Sequence, residues 1–230
     1  MAAHGGALRP SVGRMELWTE RQATRHLMVP GIGRDAARSA LKAGVAGRPV
    51  EVSTGLLYDA REVRDVLDRM DPPCEIRQRT SRPVFVARVA PREPDERTPW
   101  RSWRGADVLA PRAEQLDAAR AWWHLGARMD ALIGGVGSAK GVPFVVTCGG
   151  IIVLGAEIRG VDHAVAAAGL EMSSARRSAS PLGESYSRNA RAFVLGDPGP
   201  WFDGQDGRRF GTGPGGPFRV VQGRSRDRST

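Results

Sequence analysis

The residues that most restrict the fold lie between Trp18 and Met70, where three short helical patterns are punctuated by caps and breakers. Thr19-Glu20-Arg21-Gln22 has the form of a capping box, in which N-cap and third residue each satisfy an amide that the other leaves open. Trp18 precedes the cap and is placed to pack on Ala23 as a staple. Ala23 and Leu27 then mark the buried face of a short first helix. Pro30 cannot continue that helix, and Gly31 and Gly33 let the backbone turn. A second helix is predicted from Arg34 to Ala43, with Ala37, Ala40 and Leu41 on one face and Gly44 as its stop. Pro49–Ser53 and Leu56–Tyr58 flank Thr54-Gly55 and predict a hairpin. Asp59-Ala60-Arg61-Glu62 is a second capping box. It opens a third helix on which Val63, Val66, Leu67 and Met70 recur at helical spacing. Asp71-Pro72-Pro73 ends it and marks a predicted domain boundary.

The rest of the chain is patterned less sharply. Arg82–Ala90 predicts one strand. Pro91–Arg104 is rich in Pro and Arg and predicts a loop. Pro111 suits the first position of a helix reaching about Leu125, with Leu116, Ala119 and Trp123 on one face. Residues 134–141 form a Gly-rich linker. Val142–Cys148 and Ile151–Arg159, joined at Gly149-Gly150, predict a second hairpin. Residues 161–170 suit a short Ala-rich helix, and Arg191–Leu195 a further strand. Residues 1–14 and 208–230 are expected to be disordered, with one weak strand at Phe218–Val221; Met15 is an alternative start. The predicted class is α+β, with a small unit at 15–70 and an α+β domain with an antiparallel hairpin at 80–195.

Charge narrows the partners. The chain carries a formal net charge of +9, which favours polyanions. Of its 34 basic residues all but Lys42 and Lys140 are Arg, a skew that a GC-rich coding bias also produces. Residues 15–70 hold 9 basic and 8 acidic side chains, so the excess comes mainly from 75–112 and 208–230. The two cysteines, Cys74 and Cys148, are isolated from each other and from histidine, which argues against a structural zinc site. Free thiols fit a reducing cytoplasm. The apolar runs are too short to span a bilayer, and no membrane partner or cofactor is expected.

The second helix has the properties of a DNA-reading element. It is thin on one side and apolar on the other, where Ala37, Ala40 and Leu41 pack inward, while Arg34, Arg38 and Lys42, each four residues apart, form a basic stripe beside that apolar face. Arg38 is suited to a bidentate bond to guanine; Arg34 and Lys42 are suited to phosphate. Ser39 and Arg48 complete the candidate DNA-contacting set. The Thr-Glu-x-Gln-Ala start (Thr19 to Ala23), the Leu-Lys-Ala-Gly helix end (Leu41 to Gly44), the strand–Gly–strand wing and Asp-x-x-Glu-Val (Asp59 to Val63) together resemble the excisionase/MerR-like helix-turn-helix group. The resemblance covers about a quarter of the chain. It implies a winged-helix fold, with Arg34–Lys42 in the major groove and the hairpin near the backbone. It implies a transcriptional regulator or an excisionase-like accessory factor. A homodimer would enlarge a contact that one small module makes only in part. The wing itself, Val50–Tyr58, contains Glu51 and no Arg or Lys.

Two other readings stand beside this one. The second domain would be an enzyme or a reader of modified nucleic acid, with the first unit as tether, or the first unit would be a protein-interaction adaptor. Trp100 and Trp103, interleaved with Arg101 and Arg104, suit either base stacking or packing. Catalytic signals are thin. Asp162-His163 are neighbours in sequence alone, and Gly134–Lys140 lacks the register of a phosphate-binding loop because Gly141 follows Lys140.

Overall fold

Strand β1 (Leu17–Thr19) runs directly into helix α1 (Glu20–Leu27). The Thr19 hydroxyl accepts the Gln22 amide at 3.3 Å and the Gln22 side chain accepts the Thr19 amide at 2.9 Å, so the first capping box is formed. After the break at Val29–Gly33, α2 spans Arg34–Lys42. Strands β2 (Val50–Val52) and β3 (Gly55–Asp59) form the expected hairpin, with the turn on Ser53-Thr54, one residue earlier than predicted, and Gly55 entering β3 at φ +132°. Helix α3 (Ala60–Met70) is capped by Asp59, which accepts the Arg61 amide at 2.8 Å in place of the predicted reciprocal pair with Glu62. Strand β1 has no counterpart in the sequence reading, because three residues are too few to show a period. It pairs with β3, Trp18 opposite Tyr58, and completes a sheet in the order β1-β3-β2. Ala23, Leu27, Ala37, Leu41, Val63, Val66 and Met70 pack with Trp18 and Tyr58 into one core.

The computed structural model describes residues 15–96, 98, 100–121, 123–135, 141–163, 190–211 and 216–224. The second unit contains α4 (Ile76–Arg79), β4 (Val84–Arg88), β5 (Glu93–Pro94), β6 (Trp103–Arg104), α5 (Arg112–Ala119), β7 (Trp123–His124) and α6 (Ala127–Gly135). It continues with β8 (Val142–Cys148), β9 (Ile151–Val161), β10 (Ala190–Arg191), β11 (Phe193–Gly196), a 3-10 turn at Pro200–Phe202 and β12 (Phe218–Val221). Five strands form a mixed sheet in the order β11-β9-β8-β4-β12. Only β4 and β8 are parallel, and a parallel pair needs a crossover. Residues 89–141 make that crossover and bring Ala119, Trp123 and Ile133 onto the face that carries Phe85, Phe144 and Phe193. Ile76, Trp201 and Phe210 cover the other face over Val84, Val86 and Val145. With both faces covered, β8 is buried along its whole length and shows an apolar run rather than alternation. Glu157 is 3% exposed inside this layer, held by Arg82 at 2.8 and 3.1 Å and by Trp201 Nε1 at 2.7 Å.

Two predicted boundaries are corrected. The helix expected from Pro111 to Leu125 ends at Ala119. Its last carbonyls are taken by side chains: Trp123 Nε1 donates to Ala119 at 2.8 Å, and Arg101 Nη1 donates to Ala118 and Ala121 at 2.9 and 2.7 Å. The tail from 208, expected to be disordered apart from one weak strand at Phe218–Val221, joins the second unit through its described residues, beyond the domain expected at 80–195. β12 pairs with the otherwise open edge of β4, and Phe210 is 4% exposed in the core. Residues 1–14, 225–230 and the predicted Ala-rich helix beyond residue 163 lie outside the described residues.

The two units are joined by more than a linker. The β8–β9 turn presses against α2. Ile151 buries its side chain in the core of the first unit, Cys148 donates its S–H to the Ser39 carbonyl at 3.5 Å, and the Val108 amide donates to Ala43 at 2.9 Å. The prolines at 72–73 end α3, yet the apolar core runs across the boundary they mark.

Candidate nucleic-acid interface

Helices α1 and α2 and the β2–β3 hairpin enclose an open groove of about 600 Å³. Arg21 and Arg25, one turn apart on α1, line one side; Arg34 and Arg38, one turn apart on α2, line the other, and Thr54–Leu57 of the hairpin close it. The helices bring these arginines together because Ala23, Leu27, Ala37 and Leu41 bury the opposite faces. The arginines differ in partnership. Arg38 Nε bonds Glu20 Oε1 at 2.8 Å, and this charged bond raises the Arg38 guanidinium above its ordinary range. Arg21, Arg25 and Arg34 form no ion pair among the described residues. The groove therefore keeps a positive excess, with one carboxylate set among four guanidiniums.

Two buried hydroxyls lie in and behind this groove. Thr24, which lines it, is 4% exposed and its Oγ1 has no hydrogen-bond partner among the described residues. The Tyr58 hydroxyl is likewise unpartnered, and burial, then the nearby Glu20 charge, pushes the phenol above its usual range. The hairpin brings no cation: Val50, Glu51 and Val52 are exposed, and Leu56 and Leu57 are half-buried. It closes the groove as a wall without a cation of its own.

The five residues expected to contact DNA are thus dispersed. Arg34 and Arg38 face the groove. Lys42 is exposed and continues their stripe one turn further along α2, outside the groove lining. Arg48 is exposed beyond the end of the helix, also outside it. Ser39 is half-buried, and its carbonyl is occupied by the Cys148 thiol of the β-hairpin behind it. Arg21 and Arg25 are the residues sequence reasoning missed. Their i, i+4 spacing on the polar face of α1 is the signal that would have found them.

The tryptophans take the packing role. Trp103 is 3% exposed, with Arg92 stacked over its ring at 4.8 Å and its Nε1 donating to Glu114 at 3.3 Å. Trp100 is half-buried beneath Arg120 and Arg101, at 4.2 and 5.2 Å. Trp123 is buried among Phe85, Phe144 and Phe218. Asp162 pairs with Arg120 at 3.4 Å, while His163 is exposed. Among the described residues no group of three His, Cys, Asp or Glu side chains is placed to hold a metal, and no helix is long and apolar enough to cross a membrane. No protein-family model, curated protein or solved structure matches the chain.

Proposed function

We propose that the chain binds double-stranded DNA through the groove between α1, α2 and the hairpin, and acts as a cytoplasmic DNA-binding regulator or accessory factor. One observation carries the reading. Two arginine pairs on two helices converge on one groove, and three of the four guanidiniums have no carboxylate partner among the described residues. Arginines so placed meet phosphate or base edges with charge and geometry to spare. In this reading Arg21 and Arg25 take backbone phosphates beside the major groove. Arg34 and Arg38 enter it from the exposed arc of α2, where Arg38 exchanges Glu20 for a base edge.

The test is duplex binding across a salt series with the full chain. On a duplex of about one helical turn the three phosphate contacts of Arg21, Arg25 and Arg34 give a slope of log K against log salt of about −3, at roughly −0.9 per contact. Replacing Arg34 and Arg38 together by Ala is expected to flatten that slope and weaken binding at least tenfold. Parental affinity in that double variant, or no duplex binding by the parent at low salt, overturns the reading.

A further inference from the structure

We infer that the DNA contact continues beyond the groove, along a band of arginines on the second unit comprising Arg209, Arg219 and Arg77, which takes the phosphates flanking the segment that α2 addresses. The inference rests on the groove being a DNA interface, and it deepens that reading by assigning a second contact surface.

Contacts lead from one arginine to the next. Arg209 Nη1 donates to the carbonyl of Pro30, in the break that leads into α2. Two residues on, the Gly211 carbonyl accepts from Arg219 Nη2. Three residues beyond Arg219, the Gln222 carbonyl accepts from Arg77 Nε at 3.3 Å, and the Arg224 amide returns to the Arg77 carbonyl at 2.7 Å. The path begins in the break before α2 and runs through strand β12 to Arg77 on α4. That strand lies two places from β8 in the sheet, roughly 10 Å across. Its register sets Arg219 opposite Val86, which in turn pairs with Val145 midway along β8.

The way these arginines are held separates them from the structural ones. Arg82, Arg101 and Arg191 are committed to carboxylates. Arg77, Arg209 and Arg219 are each anchored by a backbone carbonyl and form no ion pair among the described residues. A carbonyl takes one N–H and orients the guanidinium without neutralising its charge; Arg77 is exposed, Arg209 and Arg219 are half-buried, and Arg219 lies over the Phe210 ring with its Nε buried. The charges also crowd one another. Burial first, and then Arg88 and Arg77, hold the Arg219 guanidinium below its ordinary range. Crowding of this kind is relieved by an anion. The contacts set the three arginines in succession, from the break before α2 through β12 to α4, which fits an elongated polyanion better than a small ligand. Among the described residues none of the exposed large apolar side chains lies between 74 and 88 or between 207 and 224, so a lipid surface finds no insertion point among them.

The experiment compares the full chain with an Arg77→Gln, Arg209→Gln, Arg219→Gln variant on duplexes of about one and about three helical turns. Gln keeps an amide to hold each carbonyl. On the longer duplex the variant is expected to lose at least tenfold in affinity, and about 2 to 3 from the magnitude of the salt slope, at roughly 0.9 per contact. On the shorter duplex it is expected to match the parent. The corresponding Lys variant, which keeps the charge, is expected to restore the slope, and it carries the test if the Gln variant melts early. If the Gln variant keeps the parental slope on the long duplex while Arg34→Ala, Arg38→Ala weakens binding, the groove stands and the band falls. If the parent binds no duplex, both fall. Loss of binding to phosphatidylserine vesicles with duplex binding unchanged also overturns the proposal.

Discussion

Gly149 lies flat against the carbonyl of Ala36. It sits at φ +60°, and a methyl group added there would overlap the Ala36 oxygen and approach Ala40 Cβ at 3.2 Å. The β8–β9 turn reaches the backbone of α2 because this position has no side chain. Gly149→Ala is expected to lower stability by about 2–4 kcal/mol, from the left-handed backbone and the overlap together. Thermal unfolding measures this directly, and an unchanged melting temperature would show that the two units do not meet as described.

Ile151, two residues further on, is fully buried in the core of the first unit although it belongs to a strand of the second. Ile151→Ala is expected to cost about 2–5 kcal/mol, as for other fully buried aliphatic truncations. Because the residue joins two cores, the full chain should unfold in one transition followed equally by probes in either unit. Two separated transitions would contradict a shared core.

Arg82 and Glu157 test the interior of the second unit. Glu157 is almost completely buried, whereas Arg82 retains 29% of its side-chain exposure. Arg82→Ala leaves the carboxylate with Trp201 Nε1 and is expected to destabilise by about 3–5 kcal/mol. Removing the carboxylate by Glu157→Gln should cost less, since Arg82 can turn to water. The fluorescence of Trp201 should change in both variants, because its indole N–H donates to Glu157.

Cys148 gives a prediction in pH. Burial pushes its thiol up from 9.0 to about 12. Between those values the unfolded chain has lost a proton that the folded chain retains, so stability falls as pH rises. The contribution is fully present below about pH 9 and is lost as pH approaches about 12. Urea titrations across this range should give a declining unfolding free energy, and Cys148→Ser should remove part of the decline. At pH 8 the thiol should resist alkylation in the folded protein and react once it is unfolded.

Local chemistry made much of the first unit legible. Thr19 and Gln22 satisfy amides within four residues of each other, Pro30 and Gly31 end a helix wherever they stand, and Val63, Val66 and Met70 repeat at a helical period. Such signals need no knowledge of the remaining chain. The β8–β9 hairpin was legible for the same reason. Arg34 and Arg38 were found because their spacing places them on one stripe of one helix.

What the sequence alone could not decide depends on residues far apart. The Pro111 helix ends early because Arg101 and Trp123 take its last carbonyls. Phe218–Val221 reads as a weak strand by itself, and only the tertiary structure shows that it takes the edge of β4. Arg21 and Arg25 join Arg34 and Arg38 only once α1 and α2 pack on a common core. Gly149 marks a turn in any local reading; its second role, admitting the carbonyl of Ala36, exists only when residues more than a hundred positions apart are brought together. The sequence by itself determined the caps, breaks and periods of the first unit, because those interactions close within a few residues. The tertiary structure decided the four-arginine groove and the joint between the units, because charge convergence and backbone contact are properties of packed surfaces.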